Sequence, residues 1–82
     1  MKVTFNRGDV KEGDIFRIVR VRNGSYRIQI KNLNDEIEWQ FMEKDGVSTY
    51  VHLDGAKNMV HALREAVERL EQVREIVEII EI

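Results

Sequence analysis

The chain has 82 residues, a formal net charge of −2, 34% charged residues, and neither cysteine nor proline. That length supports one domain, spanning 1–82, and a domain so small buries only about 60% of its unfolded surface, so pairing with a second copy is a common further source of stability. Disulfides and thiolate metal sites are excluded, no segment reaches the ~20 apolar residues of a membrane span, and the lack of Cys and of an N-terminal apolar run leads us to expect a cytoplasmic protein.

Residues 3–6 read as a short first strand, followed by a loop around Gly8–Asp9 and Gly13–Asp14. From Ile15 the pattern has period two, and Asn23–Gly24 is a strong short hairpin signal. A two-residue turn there sets Arg22 opposite Ser25, Val21 opposite Tyr26 and Val19 opposite Ile28. The other face then carries Phe16, Ile18, Arg20, Arg27, Gln29 and Lys31, with Arg20 beside Arg27 and Arg22 at the tip. The stretch "FRIVRVRNGSYRIQIK" holds five cations and no acid. Residues 1–35 hold eight Lys/Arg against four acids, a balance of +4, while residues 36–82 hold five against eleven, a balance of −6.

A second hairpin follows, with Ile37, Trp39 and Phe41 on one side and Glu36, Glu38, Gln40 and Met42 on the other. A three-residue loop, Lys44–Asp45–Gly46, pairs Phe41 with Thr49, Trp39 with Val51 and Ile37 with Leu53, and it keeps one face apolar. A two-residue Asp45–Gly46 turn would set His52 opposite Trp39. We therefore expect Trp39 and Phe41 in the core, and Tyr50 and His52 on the outer face.

Asp54 suits a helix N-cap. From Ala56 the apolar positions step Ala56, Met59, Leu63, Ala66, Leu70, Val73, Val77, Ile80, at intervals of 3, 4, 3, 4, 3, 4, 3, a heptad seam. A helix from Ala56 to Ile80, within the expected 55–80 span, would be about 37 Å long, against about 23 Å for a seven-residue strand. The overhang is apolar, and a partner helix is its simplest cover. We expect a homodimer with Leu63, Leu70, Val73, Val77 and Ile80 in the seam. The β-branched tail "IVEIIEI" could also be a strand; no turn residue separates it from the helix, and the helix is preferred.

The predicted architecture is α+β: an antiparallel four-stranded sheet over 3–53, five-stranded with residues 3–6, under one long C-terminal helix. No nucleophile elbow, Gly-rich phosphate loop or metal motif is present. His52 and His61 have no third ligand to complete a metal site, so neither enzyme activity nor a cofactor is expected. The basic outer face mixes cations with flat or apolar groups, as single-stranded nucleic acid requires: charge for phosphates, planes for stacked bases. Arg suits both roles. Phe16, Arg17, Arg20, Arg22, Arg27, Gln29, Lys31 and Tyr50 are the candidate contacts for single-stranded DNA or RNA. The alternative is a structural or regulatory dimerisation module that binds a protein partner.

Two segments, "GDIFRIVRVRNGSYRIQI" and "GVSTYVHLDGAKNMVHALREAVERL", carry a resemblance covering more than half of the chain. They resemble the basic strands, and the last strand running into the helix, of the positive-cofactor-four type of transcriptional coactivator and of the purine-rich-element-binding (PUR) family with its Whirly-type relatives. The resemblance implies single-stranded nucleic acid lying against the strands, helices that pair two copies, and contacts from Arg17 or Arg20, Arg22, Arg27 and Lys31. The helix here runs longer than in either group.

Overall fold

The computed structural model describes residues 4–5, 10–44, 46–75, 78 and 80. Its elements are β1 (Thr4–Phe5), β2 (Asp14–Arg20), β3 (Tyr26–Asn32), β4 (Gln40–Met42) and α1 (Leu53–Glu75). Strands β2, β3 and β4 form an antiparallel three-stranded sheet with β3 in the middle, and β1 lies parallel against β4. The chain is thus α+β with a C-terminal helix, but the antiparallel sheet has three strands where four were expected.

Helix α1 covers one face of the sheet. Phe16, Ile28, Ile30 and Met42 point from the strands into a core closed by Val60, Leu63 and Val67 of the helix. Their burial follows from the two periodicities: alternate residues of a strand share a face, and helix positions three or four apart share a stripe. The buried helix stripe is Ala56, Val60, Leu63, Val67, while Met59 and Ala66, expected on the seam, lie half-buried beside it.

The first hairpin differs from expectation by one residue, and that difference exchanges its faces. Phe16 pairs with Ile30, Ile18 with Ile28, Val19 with Arg27 and Arg20 with Tyr26. The loop has three residues, Arg22, Asn23 and Gly24: Val21 N–H donates to the Ser25 carbonyl at 2.9 Å, and Gly24 N–H to the Val21 carbonyl at 2.9 Å. Gly24 takes φ +89°, the left-handed residue of such a loop. Asn23 Oδ1 accepts from the Ser25 backbone N–H at 2.9 Å and from its hydroxyl at 2.6 Å. This register places four bulky apolar side chains on one face and separates Arg20 from Arg27, whose pairing would have cost stability.

At its start β2 is held by Asp14, a buried carboxylate that accepts from Lys11 N–H at 2.6 Å and Asn32 Nδ2 at 2.8 Å. Gly13, at φ +88°, is required there: a Cβ would come within 2.5 Å of Asn34 Nδ2.

The second expected hairpin is reduced to one bridging pair. Lys44 and Val47 exchange backbone hydrogen bonds of 3.0 and 2.9 Å across a two-residue turn, and Tyr50 then pairs with Tyr26. Residues 47–53 therefore do not extend β4 as a strand, and Ile37, Val51 and Leu53 are exposed. Because Gln40 stands opposite Ile30 and Phe41 opposite Gln29, it is Met42 that enters the core. Trp39 and Phe41 belong to the other face, contrary to expectation. The helix begins at Leu53, so Asp54 sits in its first turn, where its charge favours the positive end of the helix dipole. Helix α1 extends to Glu75; Glu78 and Ile80 are not helical, and the rest of the 76–82 tail, including Val77, lies outside the described residues.

Candidate nucleic-acid interface

Alternation from the core positions of β2 and β3 sends Arg17, Val19, Arg27, Gln29 and Lys31 to the face away from the helix. Trp39 and Phe41 join them from the segment of β4. Among the described elements none covers this face.

Arg27 and Phe41 meet along a diagonal of the β3–β4 ladder, a separation that long side chains span, whereas Arg17 reaches Trp39 across β3. Arg17 Cζ lies 4.3 Å from the centre of the Trp39 ring. Its Nε donates to Gln29 Oε1 at 2.7 Å, which fixes the guanidinium plane. Arg27 Cζ lies 4.1 Å from the centre of the Phe41 ring, and its Nε donates to the Ser48 carbonyl at 3.2 Å. Guanidinium over an aromatic face is favourable, most so when desolvated. Arg27 is only 9% exposed, and its contacts among the described residues are the Ser48 carbonyl and the Phe41 ring rather than a carboxylate. A buried cation is ordinarily paired, since removing its water is costly. Lys31 Nζ donates to the Ile37 carbonyl at 2.8 Å, which ties the 33–39 segment to the rim of the face.

The expected contact residues thus divide. Arg17, Arg27, Gln29 and Lys31 share the open face. Arg20 is exposed on the helix side of the sheet end, 6.0 Å from the Tyr26 ring centre, and Arg22 is exposed in the turn. Phe16 is 5% exposed in the core and is not a surface ring. Tyr50 packs partly buried against that same core, not on the open face. Of the expected dimer residues, Leu63 is likewise buried within the chain's own core, Leu70 and Ile80 are exposed, and the side chain of Val73 lies outside the described residues.

Trp39 and Phe41 were missed as surface residues. The missing signal was turn length: a three-residue first loop sends Arg17 and Arg27 to one face, and the aromatics then have cations to stack on. No group of three or more His, Cys, Asp or Glu among the described residues is placed to hold a metal ion, and no described helix is long and apolar enough to cross a membrane. No family model, curated protein or solved structure matches this chain.

Proposed function

We propose that the open sheet face binds single-stranded nucleic acid with little sequence preference. The observation that carries the reading is the pair of stacked cation–ring contacts, Arg17 with Trp39 and Arg27 with Phe41, on a face that no described element covers. Bases stack on the exposed side of Arg17 and Trp39. Phosphates are met by Lys31 and by the remaining N–H groups of the exposed Arg17 guanidinium, and Gln29 offers its amide to base edges. Duplex is disfavoured because its bases are already stacked and its planes are unavailable to the rings. Aromatic stacking supplies affinity without a code, since every base has a π-face.

Dimerisation belongs to the same proposal. Leu70 and Ile80 are 41% and 76% exposed, and a second copy would cover them. Two faces in one particle would then hold a strand more tightly than either alone.

The test is fluorescence anisotropy with labelled oligothymidylate and with a duplex of equal length, each over a range of salt. Preference for the single strand is expected, with log K falling linearly in log salt. Equal affinity for both, or affinity independent of salt, would sink the reading.

A further inference from the structure

We propose that the free edge of β2, together with the groove it forms with α1, takes up an extended acidic peptide of a partner protein as an added strand. This surface meets the open sheet face only at Arg17.

The edge is open in a specific way. Val21 N–H bonds to Ser25 and Leu33 N–H bonds to the Gly13 carbonyl at 2.9 Å each, so the odd-numbered residues of β2 turn their backbone groups toward β3. Antiparallel alternation then directs the N–H and C=O groups of Phe16, Ile18 and Arg20 away from the sheet. No strand among the described residues pairs with that edge. An unpaired seven-residue edge is a template for another strand unless something blunts it, and β2 contains neither proline nor lysine.

Between this edge and the helix runs a groove of about 360 Å³. Its apolar lining is Phe16, Ile18 and Val60, and its rim carries Arg17, Lys57 and Arg64, with no acid among the described lining residues. Lys57, Val60 and Arg64 share a stripe of the helix, so both cations border the apolar strip along its length. The edge supplies main-chain hydrogen bonds and the groove supplies selectivity, which is the division of labour in strand addition. Charge complementarity decides the occupant. A second copy's β2 would bring this cationic rim against itself. An oligonucleotide would satisfy the cations but leave the outward backbone groups without a ladder. An extended segment alternating apolar residues with Asp or Glu satisfies both.

The probe is blocked Glu-Val-Glu-Val-Glu-Val, with its Lys-for-Glu counterpart as control, added to the full chain while amide exchange is followed by NMR. The acidic peptide should slow exchange at Phe16 and Ile18, and the lysine peptide should not. Lys57→Glu with Arg64→Glu should weaken acidic-peptide binding by about tenfold, as the loss of two exposed ion pairs implies, and should favour the lysine peptide. Should the double variant fail to fold, Arg64→Gln reads the same effect at a smaller factor. Three results would overturn the proposal. One is unchanged exchange at Phe16 and Ile18 at saturating acidic peptide. Another is protection of those amides by oligothymidylate and not by the peptide. The third is protection that rises with the concentration of the chain alone, which would place a second copy in the groove.

Discussion

Phe16 and Trp39 exchange the roles their neighbours in sequence suggest, and each change is open to a single substitution. With Phe16 in the core, Phe16→Ala should cost about 3–5 kcal/mol of stability in chemical denaturation. Trp39→Ala should weaken single-strand binding by about 1–3 kcal/mol while leaving the salt slope unchanged, because a lost stack displaces no counterion. Arg17→Ala should do the reverse in kind, lowering the slope by about 0.7 if its guanidinium neutralises one phosphate. At Gly24 a side chain has room, the nearest atom being Arg20 Nη2 at 3.9 Å, so Gly24→Ala should cost only the strain of φ +89°. Thermal unfolding should register that as roughly 1 kcal/mol. The cations of the first hairpin were legible in the sequence as a cluster, whereas their division between two faces was not. Residue types reveal charge, and only the register reveals which charges share a surface.

The first hairpin around Asn23 and Gly24 and the C-terminal helix were legible as elements, whereas the strand expected over 47–53 does not form and the helix begins at Leu53, before Asp54. Turn length was not legible at either hairpin. Asn-Gly admits a two-residue turn or a three-residue loop with glycine in the left-handed position, and the choice lies with the core. Pairing Ile18 with Ile28 and Phe16 with Ile30 gathers apolar volume under the helix, so the three-residue loop prevails. At Lys44 and Val47 the shorter turn forms, because the chain then leaves β4 to pair Tyr50 with Tyr26. Deleting Arg22 would leave a two-residue Asn23–Gly24 turn between Val21 and Ser25, which already pair, so Phe16 and Ile18 would stay under α1. That variant should keep cooperative unfolding, and loss of a cooperative transition would refute the register argument. Along the helix, Leu63 and Leu70 separate the core from the overhang. Leu63→Ala should cost about 2–5 kcal/mol at any protein concentration. Leu70→Ala should change little in a single chain, and it should shift the sedimentation equilibrium toward monomer if copies pair there.

At the scale of the molecule, the charge asymmetry has a direction. The acidic residues Glu65, Glu68 and Glu71 are exposed on α1, which lies on one side of the sheet, while Arg17, Arg27 and Lys31 lie on the other. A polyanion is therefore attracted to the open face and repelled from the Glu65, Glu68 and Glu71 side of the helix, and such steering weakens as salt screens it. The arrangement is consistent with the net charge of −2, since a small acidic total hides a cationic face. The central claim is that a base stacks on this face, and the chain carries its own reporter there, because Trp39 is the sole tryptophan of the sequence. The decisive measurement is tryptophan fluorescence during titration with oligothymidylate at low and high salt. We expect saturable quenching with a midpoint that rises as salt is added. Unchanged fluorescence at oligonucleotide concentrations that saturate binding by anisotropy would place the nucleic acid elsewhere and contradict the claim.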